Sequence, residues 1–282
     1  MAAAYLGGHQ QKRSAALTAA VFKDETTIVS EATEATEATT AGLNLDPREA
    51  DAFNRQASRW WDPQGDFRPL HDMNGPRVEW IRAQATVEGR KLVDIGCGGG
   101  LLTEAMARAG AEVIGIDMAE KPLTVARLHQ IESGLEIDYR QITAEQLADE
   151  CPGRFDVVCC LEMLEHVPEP ASVVAACVNL ARPGGKLFFS TINRSPVAWS
   201  MAIVGAEYVL GLLPRGTHRY DRLIRPSELA GFVRAAGGRV MKIEGVSYNP
   251  FSRTVTIGGP PRVNYLLSAQ KPEAAEEMAE HE

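Results

Sequence analysis

The chain has 282 residues, of which 45% are apolar and 23% charged, ordinary globular composition that fits one substantial α/β domain with decoration. A formal charge of −8 excludes a general nucleic-acid binder, which needs a basic face, while leaving room for a local basic patch. The 5 cysteines (Cys97, Cys151, Cys159, Cys160, Cys177) are odd in number and form no C-x-x-C pair, so they read as small buried hydrophobes rather than a disulfide framework or zinc ribbon.

Residues 1–45 hold the run Glu31-Ala-Thr-Glu-Ala-Thr-Glu-Ala-Thr-Thr40 and few large apolar side chains, which predicts a disordered extension. Its start, up to Phe22, is Ala-rich with Lys12 and Arg13 and no acid; it reads either as an organelle transit peptide or as a dispensable start. A folded domain is expected over 46–271, and an acidic, disordered tail over 272–282. Apolar and β-branched runs predict strands at Lys91–Ile95, Glu112–Ile116, Ile137–Gln141, Phe155–Leu161 and Lys186–Thr191. Helical patterns separate them at Leu101–Ala109, Lys121–Ser133, Ala144–Asp149 and Ala171–Ala181. This alternation predicts a mostly parallel sheet with helices on both faces. The rhythm breaks at about 195–225, then resumes with a helix at Ser227–Ala236 and strands near Arg239–Val246 and Asn264–Ala269.

The strongest signal is Leu92-Val-Asp-Ile-Gly-Cys-Gly-Gly-Gly100, where a buried strand runs into glycines and a helix begins. Glycine lets the chain turn tightly and a ligand approach the backbone, while the helix start presents free N–H groups. The dinucleotide fingerprint wants a glycine at the sixth position of the turn, but Leu101 stands there. Asp117 ends the next strand about 20 residues on, where an acid accepts hydrogen bonds from both ribose hydroxyls of an adenosine group.

The turn Gly96-Cys-Gly-Gly-Gly100, Asp117 and the later Arg182-Pro-Gly-Gly185 resemble the class I methyltransferases. That resemblance implies a Rossmann-like, seven-stranded, mostly parallel sheet with the last strand antiparallel. It also implies S-adenosylmethionine as cofactor, with Gly96 and Gly98 at its methionine part and Asp117 at its ribose. Ser58-Arg-Trp-Trp-Asp62, Pro69-Leu-His71, Cys160-Leu-Glu-Met-Leu-Glu-His-Val-Pro168, Val204-Gly-Ala-Glu-Tyr208, Gly216-Thr-His218 and Tyr248-Asn-Pro250 narrow it further. Together they resemble the ubiquinone-biosynthesis O-methyltransferases over roughly Ala52 to Lys271. The resemblance implies two further cofactor contacts, Arg77, which sits in Asn74-Gly-Pro-Arg77, and Leu161 after the fourth strand. It also implies O-methylation of polyprenyl catechol intermediates, at both O-methylation steps.

The fourth strand ends in Glu162, Glu165 and His166, and ligands of open parallel sheets bind beyond the carboxyl ends of the strands. A phenol has a pKa near 10, so methylation at neutral pH needs help in removing its proton. Two routes stand open. His166, with Glu165, acts as a base, or Glu162, Glu165 and His166 ligate magnesium or another divalent cation, as the resemblance implies. Trp60 and Trp61 cover the cofactor, line an acceptor pocket or divide between core and surface.

Val197–Leu213 is almost wholly apolar apart from Glu207, and Arg215, His218, Arg219, Arg222 and Arg225 follow it. Such a segment is marginal for crossing a bilayer of about 30 Å, and its charge is costly there. It reads as a peripheral contact with an anionic membrane, or as a lid with solvated arginines. The expected setting is the cytoplasmic face of the inner membrane or, alternatively, the mitochondrial matrix side, with other quinone-biosynthesis proteins as possible partners. Two rival readings are a methyltransferase for another phenolic, amine or carboxylate acceptor, and a non-catalytic cofactor-binding scaffold.

Overall fold

The computed structural model describes residues 43–199 and 220–273. The expected disorder of residues 1–45, most of the apolar segment and the acidic tail therefore lie outside or almost outside the described residues. The compact unit that begins at Asn44 carries every element below.

The strands are β1 (Lys91–Ile95), β2 (Glu112–Ile116), β3 (Asp138–Arg140), β4 (Phe155–Leu161), β5 (Ala181–Ile192), β6 (Arg239–Asn249), β7 (Thr254–Ile257) and β8 (Asn264–Gln270). The helices are α1 (Pro47–Gln56), α2 (Arg68–Arg82), α3 (Leu101–Arg108), α4 (Glu120–Ser133), α5 (Ala144–Glu150), α6 (Pro170–Leu180) and α7 (Pro226–Ala235). One sheet runs in the order β3-β2-β1-β4-β5-β8-β6-β7. β1 pairs in parallel with β2 and β4, β2 with β3, and β4 with β5. β8 inserts antiparallel between β5 and β6.

This is the expected mostly parallel architecture, with Asn264–Gln270 as the antiparallel strand. The count is eight strands, not seven, because β7 pairs antiparallel with the end of β6. The sequence hid β7 for a physical reason. It is four residues long, half exposed, and flanked by Pro250 and Gly258-Gly-Pro-Pro261, which read as loop.

Side chains alternate across each strand, and the core divides accordingly. Val93, Ile95, Val158, Phe189, Tyr265 and Leu267 pack on α5, α6 and α7. Leu92, Val157, Cys159, Phe188 and Leu266 face the other way, onto Met73, Ile81, Leu102 and Met106 of α2 and α3. Strands buried on both faces read as continuous apolar runs, which is why β1 and β4 were plain in the sequence. That double covering leaves the carboxyl ends of the central strands as the open end of the sheet.

Candidate active site

The carboxyl ends of β1, β2 and β4 open on a cleft of about 1210 Å³, its solvent-filled mouth included. Arg77, Gly96, Gly98, Asp117, Leu161, Glu162 and His166 all line it. Seven of the eight residues singled out in the sequence thus converge. Glu165 stands outside that lining, 4% exposed, with Thr191 Oγ1 donating to its Oε2 at 2.7 Å.

The cofactor side is made by backbone. Gly96, Gly98 and Gly100 have φ of 73°, 53° and 88°, left-handed conformations that favour glycine. A side chain at Gly96 would overlap Met163, and one at Gly98 would overlap Trp60. The N–H groups of Gly96 and Cys97 donate to the Ile116 carbonyl at 2.9 Å, tying the turn to β2. Asp117 accepts from Gly98 N and Ala119 N, each at 2.8 Å. A carboxylate has about four acceptor positions, so Asp117 keeps capacity for ribose hydroxyls. Burial raises its pKa, and the N–H groups of Ala119 and Gly98 and the charge of His166 counter it. Asp94, beneath the turn, is 2% exposed and accepts from Thr103 Oγ1 at 2.6 Å. Burial pushes its pKa to about 7, and the negative Asp117 adds to the rise.

The other side is made by side chains from distant segments. Glu162 adopts φ 54°, a conformation that is unfavourable for a residue with Cβ and is found where surroundings over-determine it. Its Oε1 accepts from Arg77 Nη2 at 2.5 Å and from Ser190 Oγ at 2.7 Å. Arg77 is held inside α2, which runs straight through Gly75 and Pro76, and Asn74 Nδ2 donates to the Leu101 carbonyl at 2.9 Å. His166 lies in a single 3-10 turn, with Nδ1 3.0 Å from Glu49 Oε2. Burial opposes its charge, but the hydrogen bond that its N–H donates to Glu49 and the negative Glu165 and Glu162 prevail and raise its pKa. Burial also raises the pKa of Glu165, with help from Glu162.

The expected cation ligands do not assemble in this arrangement. Among the described residues no group of three or more His, Cys, Asp or Glu is placed to hold a metal ion. The positive φ of Glu162 carries its carboxylate to Arg77, while Glu165 turns to Thr191 and His166 to Glu49. Sequence reasoning missed Glu49, Ser190 and Thr191. Glu49 follows the helix cap Asp46 at capping-box spacing, so a local role masks its reach across to His166.

Arg222, expected among solvated or membrane-facing arginines, is instead 20% exposed in its side chain. Its Nη2 donates to Asp46 Oδ2 at 2.6 Å, because the N-cap of α1 stands beside it. Among the described residues no helix is long and apolar enough to cross a membrane.

Comparisons with known proteins bear on the family and the fold. Residues 93–189 match a methyltransferase domain family. The chain is 57% identical over 228 residues to a ubiquinone biosynthesis O-methyltransferase of Pseudomonas aeruginosa, covering 81% of this chain and 98% of the relative. It is 53% identical over 240 residues to the ubiquinone biosynthesis O-methyltransferase of Bordetella bronchiseptica, covering 85% and 100%. In fold it is similar to the magnesium protoporphyrin IX methyltransferase of Synechocystis with bound S-adenosylhomocysteine. That likeness has a TM-score of 0.60 at 20% identity and covers 79% of this chain and 95% of that one. The same Synechocystis enzyme with bound S-adenosylmethionine gives a TM-score of 0.55 at 18% identity, covering 82% and 99%.

Proposed function

The chain belongs to the ubiquinone biosynthesis O-methyltransferases and is an S-adenosylmethionine-dependent O-methyltransferase, and on that premise we propose that it methylates a phenolic oxygen of polyprenylated catechol intermediates, at both O-methylation steps. The observation that carries the substrate reading is the 57% identity over 98% of a relative so named. Geometry supports it, since apolar Phe53, Leu70, Met163 and Val167 share the cleft wall with His166.

When bound, S-adenosylmethionine supplies a methyl group on a sulfonium centre. Gly96, Gly98 and Asp117 would hold its methionine and ribose parts, Leu161 would face its adenine, and Arg77 would close the methionine end. A side chain larger than hydrogen at Gly96 or Gly98 would fill this cradle. His166 accepts the phenolic proton, and Glu49 orients the ring and stabilises the positive charge that results. Glu165 acts from behind through its charge and is a positioning residue. Purified protein should transfer methyl from S-adenosylmethionine to a polyprenyl catechol more efficiently than to a short-chain one. Equal kcat/KM on both would replace this reading with a general phenol methyltransferase.

One observation favours a cation at Glu162, Glu165 and His166 as a second reading. Glu165 Oε1 is buried with no hydrogen-bond partner, an acceptor that an ion would satisfy. The engagements of Glu162 and His166 oppose it. Full turnover after exhaustive chelation leaves the histidine route. Loss of turnover with cofactor binding intact, restored by magnesium, supports the cation.

Peripheral attachment to an anionic membrane on the cytoplasmic or matrix face is proposed from the apolar segment, whose described start exposes Val197 (44%) and Trp199 (49%). Co-sedimentation with anionic vesicles should fall with salt and with charge reversal of Arg215 and Arg219; absence of binding to any vesicle would leave the segment a lid.

A further inference from the structure

Two tryptophans straddle the glycine turn, and they differ in one respect. Trp61 Nε1 donates to the Gly99 carbonyl at 2.9 Å, and its ring stacks on His129 with centroids 3.5 Å apart. Trp60 lies against Gly98 and Gly99, where any Cβ would enter its ring, and stacks on Phe67 at 4.1 Å. The indole is therefore fixed between Phe67 and the turn. Yet Trp60 Nε1 is buried and has no hydrogen-bond partner among the described residues. Trp60 is 6% exposed and lines the cleft.

Arg77 repeats the pattern. It is 5% exposed, lines the same cleft, and gives Nη2 to Glu162, while its Nε is buried without a partner. Buried donors left unsatisfied are rare in folded proteins, and a pair of them in one cleft points to an acceptor supplied by a ligand. The α-carboxylate of the amino-acid end is the one anionic group of S-adenosylmethionine at neutral pH. The turn on which Trp60 rests is the expected seat of that end.

We propose that Trp60 Nε1 and Arg77 Nε together receive the cofactor's α-carboxylate, which makes Trp60 a cofactor-binding residue. This rests on the cleft being the S-adenosylmethionine site. It gives the paired tryptophans a division of labour: Trp61 holds the turn and Trp60 reads the ligand lying on it. It also makes the Arg77 guanidinium a bridge, with Nε on the cofactor and Nη2 on Glu162 beside the acceptor.

The test compares two probes, S-adenosylhomocysteine, which keeps the carboxylate, and 5′-methylthioadenosine, which lacks the whole amino-acid end. Trp60→Phe keeps an aromatic ring on Phe67 and removes the N–H together with the rest of the second ring, a packing loss that both probes would feel alike. Calorimetry should show the binding of S-adenosylhomocysteine weakened about ten- to a hundredfold more than that of 5′-methylthioadenosine, the range for a hydrogen bond to a charged group. Unchanged affinity for both, or equal loss for both, overturns the proposal. In the 15N-labelled native protein, with its 4 tryptophans, one indole N–H signal should move downfield with S-adenosylhomocysteine and not with 5′-methylthioadenosine. Absence of that differential shift overturns the proposal even if the variant does not fold. If neither probe binds the native protein, the cofactor site itself is misplaced, a different failure.

Discussion

The cleft has two walls built in opposite ways. At the ends of β1 and β2 the contacts are backbone-made and local: Gly98 to Asp117 spans 19 residues, and Asp94 to Thr103 spans 9. At the end of β4 they are side-chain-made and remote: Glu162 reaches Arg77 across 85 residues, and His166 reaches Glu49 across 117. The first wall is a fixed cradle, because strand ends and glycine φ angles define it. The second exists only once α1, α2 and β5 have docked. The glycine cradle thus belongs to the fold's centre, and acceptor chemistry, with the Arg77 end of the cofactor site, to its assembly.

Removing His166 should break the second wall while sparing the first. His166→Gln should lower kcat about 10²–10⁴-fold, the span of general-base catalysis, with S-adenosylmethionine affinity little changed by calorimetry. If affinity collapses alongside kcat, the two walls are not separable. Asp117→Ala strikes the cradle, and should weaken cofactor binding by about 1.5–3 kcal/mol, as for loss of charge-assisted hydrogen bonds. Unchanged affinity would take Asp117 out of the site.

A smaller change sharpens the contrast. Glu49 raises the pKa of His166, so Glu49→Gln should move the acidic limb of the kcat–pH profile to lower pH. The sign follows because a base with a lower pKa loses its proton earlier as pH rises. A limb that does not move would exclude His166 as the base or Glu49 as its partner. The smallest effect belongs to Asp94. Its folded pKa, raised from 3.8 to about 7, lies above the unfolded value, so its stabilising contribution is full below about pH 4 and lost as pH rises through about 7. Asp94→Asn keeps an acceptor for Thr103 and should flatten the fall of Tm across that window. Parallel profiles for the two proteins would show that Asp94 does not set it.

The same contrast decides what was legible in the sequence. β1, β2 and β4 fall where the apolar runs predict them, because strands covered on both faces carry mostly apolar residues on both sides. Gly96, Gly98 and Asp117 were legible because turn geometry demands glycine and a strand end places the acid. Glu49 was not, since helix-cap spacing explains it locally. The direction of Glu162 was not, since nothing in a glutamate's neighbours announces a left-handed backbone. Nor could spacing alone show that Glu165, one residue before His166, faces Thr191 instead of the cleft.

Helix α1 contains no buried residue, although Glu49, Ala50 and Phe53 form part of the cleft wall. Its described polar ties run through Asp46 to Arg222, Glu49 to His166 and Asn54 to the N–H of Lys121. Apolar burial sets the free energy of opening a segment, so α1 and the sheet beneath it belong to different stability classes. Amide exchange should find α1 opening far more often than β1 or β4. Product and fresh cofactor would then trade places through a helix that lifts while the glycine cradle stays folded, so turnover need not wait on the slow motions of the core.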